Sequence, residues 1–121
     1  MDSAERKVVL ASAGTYLLIR LLDIGSTVAA LKQSGGNFYE SNVWARNADG
    51  SLNVAHALGI TGLWFVALGG FGALMWLALR RLDRKVAVIA AVTPAWWFSL
   101  DTLQVVVHNL LTAAGWYQPL E

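Results

Sequence analysis

Arg20, Asp23 and Thr27 interrupt the apolar run LLIRLLDIGSTVAAL at steps of three and four residues, with Tyr16 four residues before them. On a helix these residues share one face. A second series, Asp101, Gln104, His108 and Thr112, is spaced by three, four and four residues, and Asn109 adjoins His108. Such groups can form ion pairs, relay protons, bind a cation or hold a small polar solute. Glu40 and His56 add two further titratable side chains. The sharpest chemical version is a divalent-metal site built from Asp23, Asp101 and His108, with His56 or Glu40 in support. No HExxH-like motif accompanies it, because Asp101 and His108 stand seven residues apart. Ser26 and Ser99 lie near the polar series, but neither has the G-x-S-x-G setting of a nucleophile, and the sequence holds no glycine loop for phosphate.

The elements that must position these residues are membrane helices. Of 121 residues, 56% are hydrophobic and 14% charged, and the mean hydropathy is +0.50. A soluble domain carries roughly a quarter of its residues as charged side chains. The net charge of +1 gives no basic face for nucleic acid. Cysteine is absent, which removes disulfides, thiolate metal sites and thiol redox chemistry. Three segments, about 7–32, 53–79 and 86–116, exceed the roughly 20 apolar residues that a crossing needs, with a connection at 33–52 between the first two. The expectation is a single all-α domain, a polytopic helical bundle with three transmembrane helices. Arg20 and Asp23 interrupt the first apolar run and no small-residue cleavage site follows, so that run reads as a retained anchor.

Basic residues set the expected orientation. The second connection, Arg80-Arg81-Leu82-Asp83-Arg84-Lys85, is the densest basic cluster, and Arg6 and Lys7 precede the first helix. By the positive-inside rule the N-terminus and this connection are cytoplasmic, and the 33–52 connection and C-terminus are extracytoplasmic. That places a multi-pass protein in the cell membrane. Gly35-Gly36 and Asp49-Gly50 break helix on either side of Phe38, Tyr39 and Trp44, which read equally as interfacial anchors or as scattered aromatics of a solvated loop. The second helix is rich in glycine and alanine, as close helix packing in lipid requires. In the third, Pro94 predicts a kink or a separated first portion. Trp96 and Trp97 follow at a depth where at least one is expected to pack against another helix or another protein, while Trp116 and Tyr117 suit an interfacial belt.

A charged side chain at the centre of a membrane helix costs about 2.5–3.5 kcal/mol, so such groups are expected to turn inward. The two polar series are therefore expected to face each other. A buried ion pair of Arg20 with Asp23 or Asp101, supported by Thr27, Gln104 and Asn109, would fix helix register alone. The surplus of carboxylates and histidines over the one arginine favours a polar site in the outer half.

The pattern Asp23-x-x-Ser26-Thr27, followed by Glu40-x-Asn42 after a glycine turn and by Asn109 in the last helix, resembles a family of small bacterial and archaeal integral membrane proteins of unknown activity. That family carries Asp-x-x-Ser/Thr-Thr and Glu-x-Asn-Pro motifs; here Val43 stands in place of the proline. The resemblance implies that Asp23, Thr27, Glu40 and Asn42 act together, and names no reaction.

Two functional readings follow. In the first, Asp23, Thr27, Glu40, Asn42, Asp101, Gln104, His108 and Asn109, with Arg20 as charge partner, bind or conduct a cation, proton or small polar solute. In the second, the protein is an accessory or structural subunit of a larger membrane complex and the polar residues are internal glue. An intramembrane metal-dependent enzyme ranks last. Three glycine-rich helices bury little by themselves, so a homo-oligomer or a larger membrane assembly is expected as the partner, alongside the lipid bilayer.

Overall fold

A computed structural model describes residues 1–34, 46–49 and 51–115. They form three helices, α1 (Ser3–Ser34), α2 (Val54–Leu79) and α3 (Arg84–Ala113). All three are long and apolar enough to cross a membrane. Among the described residues the remaining regular pairing is one isolated antiparallel bridge, Arg46 with Leu52.

The helix ends differ by a few residues from those expected, and capping accounts for most of the difference. Asp2 accepts from the Glu5 amide at 2.8 Å while the Asp2 amide donates to the Glu5 carboxylate at 3.3 Å. This reciprocal capping box starts α1 at Ser3 rather than at residue 7. Asp83 accepts from the Lys85 and Val86 amides, which starts α3 at Arg84. Asn53 accepts from the His56 amide at the start of α2. At the far end of α3, Gly115 takes φ +81°, a conformation that glycine adopts without a side-chain clash, and stops the helix short of Trp116. Helix α3 runs through Pro94 as one element. The proline has no N–H to give, so the Ala90 carbonyl loses its helical donor there. The expected aromatic anchors Phe38, Tyr39, Trp44, Trp116 and Tyr117 lie outside the described residues.

Helices α1 and α3 form the principal interface. Cross-links between them join residues separated by nearly constant numbers: Glu5 with Arg84, Ser12 with Trp96, and Thr27 with Asn109. A constant offset along two helices means that they run parallel and in register. Their buried residues include many small and hydroxylated ones, Ser12, Ser26 and Ala30 on α1 and Ala87, Ser99, Thr102 and Thr112 on α3, beside Tyr16, Ile19, Ile24, Val88 and Val106. Small side chains let helix backbones approach closely, which is the main source of association in lipid. Several of these hydroxyls are satisfied within their own helix: Ser12 donates to Val8, Ser99 to Ala95 and Thr112 to His108.

Helix α2 attaches more loosely. Its buried residues are Ala57 and Thr61, both near its first turns, where Ala57 packs with Ile24 of α1. Further along, Gly72 meets α3 so closely that a β-carbon there would lie 2.9 Å from the Ala91 carbonyl oxygen. Helices α1 and α2 thus touch at the end bearing the 33–52 connection and diverge toward the Arg80–Lys85 end. Between the diverging portions is an apolar crevice of about 330 Å³.

Candidate functional site

The polar cluster sits where all three helices meet, one helical turn beyond an aromatic layer. Tyr16 is 1% exposed. Its ring lies 6.1 Å from Phe65 and 5.8 Å from Phe98, and Trp64 lies 5.5 Å from Phe98. The Tyr16 hydroxyl donates to the Thr61 carbonyl at 3.0 Å, which gives the buried phenol its partner and ties α1 to α2. Above this layer the Arg20 guanidinium donates to Asp23 at 2.8 Å and reaches the Thr61 hydroxyl oxygen at 3.4 Å. Its plane is also 5.9 Å from the Phe98 ring centroid, within cation–π range. The Thr61 hydroxyl donates to Ala57, so it can accept from Arg20 at the same time.

One turn further, the Asn109 amide donates to Thr27 at 2.9 Å and to Ser26 at 3.3 Å, and the Ser26 hydroxyl donates back to the Asp23 carbonyl. The chain Thr61–Arg20–Asp23–Ser26/Thr27–Asn109 therefore links α2, α1 and α3. Among the described residues no buried side-chain polar atom lacks a hydrogen-bond partner. The Arg20 and Asp23 side chains retain 14% and 17% exposure.

The structure turns one of the two expected series inward and, of the second arrangement, Asn109 and Thr112. Tyr16, Arg20, Asp23 and Thr27 do share a face that turns into the bundle. Asn109 meets Thr27, and Thr112 is buried. Asp101, Gln104 and His108 are exposed on the far side of α3. The two series do not face each other. The reason is rotation: successive residues turn by about 100° around a helix, and the face of α3 that meets α1 carries Ser99, Thr102, Val106 and Asn109. Small Ser and Thr allow the close parallel contact, whereas Asp, Gln and His on that face would hold the helices apart. His56 is exposed in the first turn of α2, and Glu40 and Asn42 lie outside the described residues. Among the described residues no three of His, Asp and Glu come together as a metal site would need.

Thr61 is a member of the cluster that the sequence reading missed. Its signal was present, since it is the one polar side chain of α2 between His56 and Arg80. Ser12, which accepts from the Trp96 indole N–H at 2.7 Å, was missed as well. Trp96 thus packs on another helix as expected, while Trp97 is 77% exposed.

Comparison with family models, with curated proteins and with solved structures finds no match to this chain. The fold defines a class, a small helical membrane protein, and the placement of its polar groups must carry the functional reading.

Proposed function

We propose that the protein is a structural membrane subunit that assembles with further copies of itself through the outward face of α3, and that the cluster around Arg20 holds each bundle together. One observation carries this reading: Asp101, Gln104 and His108 are all exposed on a helix long and apolar enough to span a membrane. Asp101 lies twelve residues from the end of α3 at Ala113, about 18 Å along the helix axis at roughly 1.5 Å per residue. At that depth a lipid-facing carboxylate costs about 2.5–3.5 kcal/mol. With Trp97, these residues follow steps of four, three and four, the period of a helix–helix seam. Copies inserted in the same orientation bring identical residues to the same depth. Gln104 both donates and accepts, so it can pair across a two-fold axis and reach the adjacent Asp101 of the second copy.

The test is self-association in liposomes, read by energy transfer between labelled copies. Interhelical polar contacts contribute about 0.6–2 kcal/mol each, so Gln104→Leu should weaken association roughly 3–30-fold. Joint replacement of Asp101, Gln104 and His108 by leucine should weaken it further. A monomeric native protein, or a triple variant that associates as the native chain does, overturns the reading.

A second reading, binding of a cation, proton or small polar solute at Asp23, is favoured by the residual exposure of Arg20 and Asp23. The aromatic layer under the cluster argues against conduction through one copy. A proton or cation response in liposomes that Asp23→Asn abolishes, with the fold intact, would favour this alternative. The basic Arg80–Lys85 connection supports a cytoplasmic position for that end and the N-terminus, with the C-terminus extracytoplasmic. A reporter fused after Arg84 should therefore read cytoplasmic, and the opposite result reverses the orientation.

A further inference from the structure

We propose that the crevice between α1 and α2 is a binding site for an acidic phospholipid, with one acyl chain in the crevice and the headgroup phosphate against the Arg80–Lys85 connection. The crevice has a volume of about 330 Å³ and a lining that includes Val9, Ala13, Leu68, Gly69, Trp76 and Val92. That volume is at the lower end of the roughly 300–1,000 Å³ typical of ligand pockets. The two lining residues with hydroxyls, Ser12 and Tyr16, spend them on Val8 and Thr61. Both hydroxyls are thus engaged and the rest of the lining is largely apolar, so an aqueous filling is disfavoured. Unfilled, the lining forfeits its dispersion contacts. The apolar material at hand beside a membrane helix is the lipid chain.

Charge selects the headgroup. The crevice ends beside Trp76, whose ring lies 5.9 Å from the Arg84 guanidinium and whose carbonyl accepts from the Arg80 amide at 2.9 Å. Arg84 is already held by Glu5 at 3.2 Å. Asp83 is engaged by the amides that it caps. Arg80, Arg81 and Lys85 are exposed in the same connection, within a few residues of Arg84 and of the end of α2. A basic rim on an apolar slot between membrane helices matches an anionic headgroup above a hydrocarbon chain. The crevice is also lined by Val88, Ala91, Val92 and Ala95 of α3, but it shares no residue with the Asp101, Gln104 and His108 face of that helix.

The protein is reconstituted in vesicles of equimolar phosphatidylglycerol and phosphatidylcholine, extracted in mild detergent and weighed by native mass spectrometry. The native chain should retain phosphatidylglycerol at least tenfold over phosphatidylcholine. Gly69→Leu fills the crevice from α2, where a β-carbon meets nothing within 4 Å, and should lower retention of both lipids at least tenfold. The double variant Arg80→Gln, Arg81→Gln should lose the preference between headgroups. Should Gly69→Leu fail to fold by circular dichroism, Ala13→Leu fills the same space from α1 and is read instead. Equal retention of the two lipids by the native chain overturns the proposal, as does unchanged retention in the filled variant.

Discussion

Replacing Arg20 by leucine removes three interactions at once: the ion pair with Asp23 at 2.8 Å, the contact with Thr61 at 3.4 Å and the stacking over Phe98 at 5.9 Å. The ion pair dominates. At this separation the direct attraction is about 6 kcal/mol for an effective dielectric constant near ~20, most of it offset by the desolvation of both ions. Removing one partner leaves the other's desolvation in place, which costs about 3–5 kcal/mol. The contacts with Thr61 and Phe98 add about 0.6 and 0.5–1 kcal/mol. Arg20→Leu should therefore destabilise the bundle by about 4–7 kcal/mol. The pair lies within α1, so it does not itself hold two helices together. Replacing Asp23 by leucine as well should recover about 3–5 kcal/mol and leave a residual loss of about 1–2 kcal/mol from the contacts with Thr61 and Phe98. Stability can be read from tryptophan fluorescence as sodium dodecyl sulfate is titrated into mild-detergent micelles. A single variant within about 0.5 kcal/mol of the native protein would refute the ion-pair argument. So would a double variant as unstable as the single one.

The close approach of α2 to α3 predicts opposite outcomes at neighbouring glycines. Gly72→Ala sets a β-carbon 2.9 Å from the Ala91 carbonyl oxygen and should cost about 1–3 kcal/mol; Gly70→Ala meets nothing within 4 Å and should be neutral or stabilising by up to about 1 kcal/mol. Equal effects in the same titration would refute the packing assignment. Outside the membrane, the Ser51 hydroxyl and then its amide hold the Asp49 carboxyl below its ordinary range. A depressed folded value means that this turn gains stability above the ordinary aspartate range near ~3.9 and loses it as pH falls through the lower folded value. Ser51→Ala should move the Asp49 titration midpoint upward in a carboxyl NMR experiment, and an unmoved midpoint counts against the contact.

The three helices were legible in the sequence because apolar length is a sum over some twenty residues and tolerates local error. The face of α1 was legible too, since Tyr16, Arg20, Asp23 and Thr27 share one stripe whichever neighbour they meet. The rotation of α3 was not. Choosing between the stripe at Asp101, Gln104 and His108 and the one at Thr102, Val106 and Asn109 means choosing between faces one residue apart. Counting polar groups favours the first; backbone approach favours the second. The second decides because, without a hydrophobic drive between helices, close packing of Ser12, Ser26, Ser99 and Thr102 contributes more than a cross-helix ion pair. The capping box at Asp2 and Glu5 was legible as well, and was overlooked because the apolar count begins only after Lys7.

The same preference explains why Asp101 and Gln104 sit outside on α3 while Ser99 and Thr102 sit inside. A serine or threonine that returns its hydrogen bond to its own helix carries its polarity into an interface at little cost, as Ser12, Ser99 and Thr112 do. An aspartate or glutamine has no such local solution and must find its partner elsewhere. Within the bundle, Asp23 has Arg20 one turn away on the same helix. Asp101 has no basic residue within a turn on either side of it in α3, where Trp97, Phe98, Gln104 and Val105 occupy the neighbouring positions. In the proposed assembly its carboxylate would meet a group that another copy brings to the same depth. That asymmetry between two acidic residues at the middle of two parallel helices is the physical basis for assigning one to the interior and the other to assembly.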